Sequence, residues 1–211
     1  MPVPPQPTPG LERIGVKEVD LEIVKLVPPL VVDRYRFSIV PCPSLGQSPG
    51  SPLDTLADMN ERRNAFRFWP EGYESLQRLN VLVKQSGLER ELLELVKMRA
   101  SQINGCAYCI DMHSKDARMQ GETEQRLYAL SAWRETPFFT ERERGALGLT
   151  EAVTLIAQTG ITESVIEDAS AVFTPEELTT LLYLIIEINA WNRLAITTGS
   201  PEAGSYTPTG R

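Results

Sequence analysis

The stretch ELLELVKMRASQINGCAYCIDMHSKDAR, residues 91–118, holds two of the chain's three cysteines and its only histidine. On a helix that advances about 100° per residue, Cys106, Cys109 and His113 fall within an arc of roughly 60°. Cys109 and His113 are four positions apart, so their side chains come close enough to share a proton. The Asn-Gly pair before Cys106 is a strong turn signal, which predicts Cys106 in the first turn of a new helix. A helix start lowers the pKa of a thiol, so the pattern predicts a dithiol with a built-in base.

The helix before this turn is predicted over about residues 88–103, and it contributes a carboxylate. Its apolar face is formed by Leu92, Leu95, Val96, Ala100 and Ile103. Glu94 lies on the opposite side, and the turn folds it back toward His113, where it is placed to orient the imidazole. On the residues alone, an exposed helix carboxylate is the simpler interpretation of Glu94. Arg99 falls inside the apolar arc, so it is expected to be buried and paired with a carboxylate.

The CxxC pair has two other interpretations on the residues alone. The first is a pair of buried structural thiols, which are common on helices. The second is a zinc site, in which Cys106, Cys109 and His113 supply three ligands and Glu94 supplies the fourth. Structural zinc sites usually draw on two separated ligand pairs, and this chain has no second pair. Ligands three and seven positions apart on one helix also wrap a tetrahedral ion poorly, so both observations disfavour zinc.

From Pro70 onward the sequence has the punctuation of an all-α protein, without the alternating pattern of strands. Besides the two helices already described, caps and apolar periodicity predict helices at Pro70 to about Gln85, at 122–133, from Thr140 to Gly160, after Thr162, and from Thr174 to about Ile196. The last of these, containing LLYLIIEINAW, is apolar nearly all round, so it should be buried by the fold or by a subunit interface. Near its end, Trp191-Asn192-Arg193 is interpreted as a structural corner that pairs with an acidic helix. A CxxC motif without a βαβ pattern disfavours a thioredoxin fold.

The order of these residues resembles the AhpD-like alkylhydroperoxidase core of the carboxymuconolactone decarboxylase superfamily. The resemblance rests on Glu94, on Cys106-Ala-Tyr-Cys109 followed by His113, and on the words MRASQINGCAYCIDMHSKDAR, GETEQRLYALSAW, ERERGALGLTEAVT and WNRLA. It covers about residues 79–196. It implies an all-α, AhpD-like helical bundle that assembles as a homo-oligomer, a trimer or a hexamer, and a thiol-dependent peroxidase activity.

The resemblance also assigns roles within the dithiol. On the residues alone either cysteine is a candidate nucleophile, because the helix start favours Cys106 and the base one turn away favours Cys109. The resemblance implies that Cys109 attacks the peroxide, that Cys106 resolves the product to a disulfide, and that Glu94 holds His113 in the tautomer that accepts the proton. A dithiol donor of the lipoyl or thioredoxin type would then restore the pair. No metal, flavin or haem is required, so no cofactor is expected.

One position departs from the family pattern, and two other functions compete. Better-studied members carry a histidine between the cysteines, where this chain has Tyr108, so a relay through that histidine is not expected. Tyr108 is interpreted as a packing residue at the edge of the site, or else as a hydroxyl that replaces the histidine.

The competing functions are a cofactor-free lactone decarboxylase, in whose chemistry a CxxC has no role, and a non-catalytic redox-sensing oligomer.

Length, charge and composition exclude several classes of protein. The 211 residues suffice for one domain with a substantial core, and the net charge of −7 argues against a nucleic-acid surface. No apolar run reaches the roughly 18 residues that a membrane span needs. The start, MPVPPQPTPG, is not a secretory signal, and three cysteines are not a disulfide framework, so a cytoplasmic location is expected.

Residues 1–58 differ in composition from residues 59–211, which we predict to form the helical domain. Eleven of the sixteen prolines fall in 1–58, so this Pro-rich extension is expected to be irregular or disordered. It is either a tail that packs on a neighbouring subunit or the result of a misassigned start, with Met59 as the native one. Cys42, in Pro-Cys-Pro, is interpreted as an incidental thiol.

Overall fold

The computed structural model describes residues 65–199 and 201–208. The predicted Pro-rich extension and Cys42 lie outside these residues, so the domain boundary near residue 58 stays a prediction. The described part of the chain is helical and contains no strand, which confirms the all-α fold. Its α-helices are α1 Ala65–Phe68, α2 Pro70–Lys84, α3 Arg90–Asn104, α4 Ala107–Met119, α5 Glu124–Ala129, α6 Glu141–Thr154, α7 Ile156–Thr159, α8 Glu163–Ser170 and α9 Pro175–Thr198.

Two of the predicted capping boxes fix the starts of long helices. At the start of α6 the Thr140 hydroxyl accepts from the Glu143 amide, and the Glu143 carboxylate accepts from the Thr140 amide. Thr174 and Glu177 make the same reciprocal pair at the start of α9. Each such cap stabilises its helix by about 1 kcal/mol. Thr162 occupies the N-cap position of α8, but its hydroxyl pairs with the Ser164 hydroxyl rather than with a helix amide.

Two predicted helices are interrupted. The segment 122–133 forms α5 and then a 3₁₀ helix, Leu130–Glu135, with Ala132 outside helical geometry. The helix that was expected to run from Thr140 to Gly160 ends at Thr154, and one further turn follows as α7. Thr154 is buried and its hydroxyl accepts from the Asn189 side chain at 3.0 Å. This contact with α9 is a tertiary interaction, which local sequence does not signal.

The central element is α3, which packs against α4, α6 and α9. Leu95 and Val96 are fully buried on two sides of it and belong to two different apolar clusters. One cluster joins α3 to α6, α8 and α9, and the other joins α3 to α4, α5, the 3₁₀ helix and α6. Burial on both sides fixes the rotation of α3, and therefore the direction in which its polar residues point.

The expected ion pair of Arg99 is present. Its guanidinium contacts the Glu151 carboxylate at 2.8 Å, so a carboxylate compensates the charge, although Arg99 is half-buried rather than fully buried. Glu151 also accepts from the Trp133 indole at 2.9 Å and pairs with Arg134. These contacts lower the pKa of Glu151 against the opposing effect of burial.

The apolar last helix, α9, is buried on one side only. Its inward residues Leu181, Leu184, Ile185 and Ile188 lie in the core. Tyr183, Ile186 and Ile196 point outward and are each about half exposed, at 52%, 53% and 51%. Within the described residues, no helix is long and apolar enough to cross a membrane.

Candidate active site

A glycine turn joins α3 to α4 and sets the position of the first cysteine. Gly105 has φ +70°, a left-handed conformation that glycine adopts without steric cost. The Cys106 amide donates to the Ser101 carbonyl at 3.0 Å, and the Gly105 amide donates to the Gln102 carbonyl at 3.3 Å. This pair of bonds closes the end of α3 and turns the chain directly into α4.

Cys106 is therefore the N-cap of α4 and not, as predicted, a residue of its first turn. Its backbone is extended, with φ −83° and ψ 95°, because its amide is used to close α3. Its sulfur takes the role of a capping side chain and accepts from the Cys109 amide at 3.4 Å. Cys109 and His113 lie one turn apart on α4 itself, as the sequence spacing predicted.

The predicted contact between the carboxylate and the imidazole is present. Glu94 Oε2 and His113 Nδ1 are 2.8 Å apart, and both residues are buried, so the interpretation of Glu94 as an exposed carboxylate is wrong. Burial alone would raise the pKa of Glu94, but its hydrogen bond to His113 and the nearby positive charges lower it overall. An ionised Glu94 accepts a hydrogen bond from Nδ1–H, which leaves Nε2 as the basic nitrogen of the neutral ring.

The second nitrogen of the imidazole has no partner. His113 Nε2 is buried without a hydrogen bond among the described residues. A buried polar atom left unpaired costs about 1–3 kcal/mol, so such atoms are rare outside functional sites. His113 lines the same cavity as Cys109, and the free nitrogen is thus available to the thiol or to a bound molecule.

The two thiols form a coupled pair. Cys106 and Cys109 are free and only 1% and 2% exposed. The pKa of Cys106 is lowered to about 7, chiefly because the Cys109 thiol donates to it. The pKa of Cys109 is raised, because it is the donor in this hydrogen bond and because it is buried. The first proton therefore leaves the pair more readily than it leaves an ordinary thiol, and the negative charge is shared between two sulfurs.

An asparagine that the sequence reasoning missed supports this pair. The Asn192 side chain lowers the pKa of both thiols through hydrogen bonding. It is held in place by Ser101, to which it donates at 3.0 Å, and by Asn104, from which it accepts at 2.9 Å. The interpretation of this segment as a corner that pairs with an acidic helix is wrong, because the Arg193 guanidinium bonds to the Asn189 carbonyl groups.

A small cavity of about 170 Å³ opens beside Cys109 and His113. Four aromatic side chains, those of Phe66, Tyr73, Tyr108 and Trp191, line part of its wall, and the rest is aliphatic or polar. Cavities of about 150 Å³ accommodate a molecule the size of benzene, so this one suits a compact ligand. Cys106 is not one of its lining residues, which makes Cys109 the sulfur that a ligand meets. Tyr108 lies at the edge of the site, as predicted.

The sequence reasoning also missed two ionisable residues in the cavity wall, Lys97 and Glu187. Lys97 is 2% exposed and forms one long hydrogen bond, 3.4 Å to Asn80 Oδ1, but no ion pair within the described residues. Glu187 is 1% exposed; its Oε1 accepts from the Trp191 indole at 2.9 Å, and its Oε2 has no partner. Burial raises the pKa of Glu187. The signal available in the sequence was a lone carboxylate within the apolar run LLYLIIEINAW.

The zinc site considered from the sequence is not assembled. In the described part of the chain, the ligand-type atoms that lie within 4.8 Å of one another belong to Glu94, His113 and Asp116. Neither sulfur belongs to this group. Asp116 also accepts from the Tyr206 hydroxyl at 2.7 Å, and His113 Nδ1 is used by Glu94, so these atoms have protein partners.

Comparison with known proteins agrees with this arrangement. Residues 70–152 match the sequence profile of the Carboxymuconolactone decarboxylase family. The chain is 40% identical over 145 residues to YdfG, an uncharacterized protein of Bacillus subtilis strain 168, and the match spans 69% of this chain and 99% of YdfG. The chain belongs to the carboxymuconolactone decarboxylase family.

Two solved structures share the fold of this chain. ATU0492 of Agrobacterium tumefaciens, a protein of unknown function for which an AhpD-type antioxidant defence role has been suggested, is 43% identical with a TM-score of 0.63. The match covers 65% of this chain and 94% of ATU0492. The debrominase Bmp8 has a TM-score of 0.56 over 72% of this chain and 89% of its own, but at 16% identity it shares the fold alone. This carboxymuconolactone decarboxylase family member is therefore AhpD-like, which confirms the resemblance.

Proposed function

We propose that the protein is a thiol-dependent peroxidase that reduces alkyl hydroperoxides through a cycle of the Cys106–Cys109 dithiol and its disulfide, in an antioxidant role. The observation that carries this proposal is the buried Glu94–His113 pair, in which His113 lines the same cavity as Cys109 and has an unpaired Nε2. A carboxylate, an imidazole and a thiol in this order form a relay that activates a nucleophile.

The reaction begins when Cys109 gives up its proton to His113 Nε2. The sulfur attacks the terminal oxygen of the hydroperoxide, so that an S–O bond forms, the O–O bond breaks and an alkoxide leaves. The alkoxide takes up a proton to become an alcohol, and Cys109 is left as a sulfenic acid. Cys106 then attacks that sulfur, which forms the disulfide and releases water. The dithiol has lost two electrons and the peroxide has gained them.

The two sulfurs have different tasks in this cycle. The lowered pKa of Cys106 would by itself favour Cys106 as the attacking thiolate. Access favours Cys109, because Cys109 lines the cavity and Cys106 does not. Once Cys109 has given its proton to His113 Nε2, the charge lies on Cys109, and the Cys106 thiol can stabilise it by donating across the hydrogen bond between the thiols. We therefore assign attack to Cys109 and resolution to Cys106.

The cycle needs a reductant, and the exposed apolar surface supports assembly with further copies of the chain. A disulfide is restored by exchange with a second dithiol, for which we propose a lipoyl- or thioredoxin-type donor. The half-exposed apolar side chains of Tyr183, Ile186 and Ile196 support assembly of several copies, a trimer or a hexamer, through α9. A cytoplasmic location, where thiols stay reduced, remains a prediction.

A steady-state assay with cumene hydroperoxide and dihydrolipoamide tests the function. We expect peroxide consumption that is abolished by Cys109→Ser and unchanged by Cys42→Ser, the matched cysteine outside the described residues. One equivalent of peroxide consumed without turnover would instead indicate a redox sensor. Consumption of a carboxymuconolactone without peroxide reduction would indicate a decarboxylase of the kind after which the family is named.

A further inference from the structure

Two residues that line one cavity each carry a buried polar atom without a partner. One is His113 Nε2 on α4, and the other is Glu187 Oε2 on α9. Within the described residues these are the buried side-chain nitrogen and oxygen atoms that lack a hydrogen bond. The relay of Glu94, His113 and Cys109 explains the first atom. It leaves the second without a role.

Packing does not explain the carboxylate of Glu187. Its Oε1 accepts from the Trp191 indole at 2.9 Å, and a glutamine in the same place would accept this bond equally well. A carboxylic acid is the side chain that adds a transferable proton. Burial raises the pKa of Glu187, which favours the protonated acid more than in an exposed glutamate, although Lys97 and the Trp191 hydrogen bond oppose this effect.

We infer that Glu187 is the general acid that protonates the oxygen leaving the peroxide, and that the substrates are compact hydroperoxides of about the size of one aromatic ring. The inference rests on the proposed peroxidase function and adds a proton donor and a substrate class to it. A molecule in the cavity would meet the nucleophile Cys109 and the acid Glu187 from different walls, because these residues come from different helices.

The proton balance closes within the cavity. The Cys109 thiol gives its proton to His113 Nε2, and its sulfur takes the terminal oxygen of the hydroperoxide. Glu187 gives its proton to the alkoxide, which leaves as the alcohol. The imidazolium at His113 then returns a proton to the Glu187 carboxylate. The net result is one thiol and one hydroperoxide converted to one sulfenic acid and one alcohol.

The substrate class follows from the size and walls of the cavity. About 170 Å³ is close to the roughly 150 Å³ of a cavity that binds one benzene molecule. The ring of Tyr73 contacts those of Phe66 and Trp191 edge to face, with centroids 4.6 Å and 5.3 Å apart, so the aromatic wall is continuous. A cavity of this volume with these rings in its wall suits a compact aryl or branched alkyl group better than a long acyl chain.

The decisive experiment varies the leaving group. Cumene hydroperoxide releases an alkoxide, which needs a proton, whereas perbenzoic acid releases a carboxylate of pKa about 4, which does not. In Glu187→Gln we expect single-turnover oxidation of Cys109 by cumene hydroperoxide to slow by about 10²- to 10⁴-fold. Oxidation by perbenzoic acid should change by less than about threefold. Alkylation of Cys109 by iodoacetamide, whose leaving iodide needs no proton, should also be unchanged.

Matched variants separate this role from a structural one. Glu176→Gln, at an exposed position on the same helix, should behave as the parent with both oxidants. Glu187→Asp keeps an acid at a greater distance, so it should slow cumene hydroperoxide less than Glu187→Gln does. It also serves as the second variant if Glu187→Gln does not fold, and it must then still slow cumene hydroperoxide more than perbenzoic acid.

Four outcomes would count against these inferences. Equal slowing of both oxidants by either Glu187 variant would overturn the inference, as would no slowing of cumene hydroperoxide. A linear C₁₈ hydroperoxide reduced as fast as cumene hydroperoxide would overturn the substrate class. A parent protein that reduces neither oxidant, while iodoacetamide still alkylates Cys109, would refute the peroxidase function itself rather than the role of Glu187.

Discussion

Replacing Glu94 by glutamine isolates the charge of the relay from its shape. The carboxylate contacts His113 Nδ1 at 2.8 Å, and both side chains are buried. The glutamine carbonyl can accept the same hydrogen bond, so the variant keeps the orientation of the ring and loses the negative charge beside it. The charge matters when the ring takes up the thiol proton, because an ionised carboxylate stabilises the imidazolium that forms.

The size of the effect follows from the two kinds of hydrogen bond. A hydrogen bond to a charged group contributes about 1.5–3 kcal/mol in a protein, and a neutral one contributes about 0.5–1.5 kcal/mol. The difference of about 1–1.5 kcal/mol corresponds to roughly tenfold in rate. We therefore expect Glu94→Gln to slow peroxide oxidation of Cys109 about tenfold at pH 7. Glu94→Ala, which loses the whole bond, should slow it by about 10- to 150-fold.

Stopped-flow oxidation by cumene hydroperoxide between pH 6 and 9 measures this effect. The deficit of Glu94→Gln should shrink as pH rises, because the thiol then ionises without help from a base. His113→Gln should behave in the same way, and the double variant should be no slower than His113→Gln alone, since both act on one proton path. Glu91→Gln, on the exposed side of the same helix, is the control. An unchanged rate and pH profile for a folded Glu94→Gln protein would refute the relay.

Three further predictions concern the dithiol and the surface. After mild peroxide treatment, mass spectrometry should show a loss of two hydrogens from the peptide that holds Cys106 and Cys109. A main product with a disulfide to Cys42 would contradict the assignment. Because hydrogen bonds from Cys109 and Asn192 lower the pKa of Cys106, the thiolate absorbance near 240 nm should appear at lower pH than for an ordinary thiol, and Asn192→Ala should shift it to higher pH. Light scattering at micromolar concentration should give a mass above the 23.5 kDa of one chain, and Ile186→Glu should lower that mass. A parent protein at the monomer mass would contradict assembly.

Local sequence signals predicted most of the fold. The Asn-Gly turn, the capping boxes at Thr140 and Thr174 and the apolar periods placed the helices to within a few residues, because these features act over one or two turns of chain. The break after Thr154 was missed. At this position the Thr154 hydroxyl accepts from Asn189 of α9, a contact with a distant part of the chain that local signals do not show. The one-residue error at Cys106 has a local cause, because the Cys106 amide donates to the Ser101 carbonyl and so closes α3 before α4 begins.

The part of the site that lies within one sequence motif was predictable. The part that a distant helix contributes was not. Spacing on α4 and the turn before it put Glu94 within reach of His113, and the family resemblance decided for the contact, which lies within 20 residues of chain. Glu187 and Asn192 come from α9, more than 70 residues further on, and no spacing rule links them to the cysteines. The cue that was available was chemical rather than positional, because a lone carboxylate in an apolar helix needs a reason to be buried.

The last helix, α9, contributes residues both to the candidate site and to the exposed apolar surface. On its inner side, α9 carries Glu187, which lines the cavity, and Asn192, which bonds near the thiols. On its outer side it exposes Tyr183 and Ile186, and Ile186 is the immediate neighbour of Glu187 in the chain. A copy that packed on this outer face would restrain the helix that carries the proposed acid. Because a displacement of about 1 Å in a reacting group can cost about 10²-fold in rate, assembly through α9 would then contribute to the rate as well as to stability.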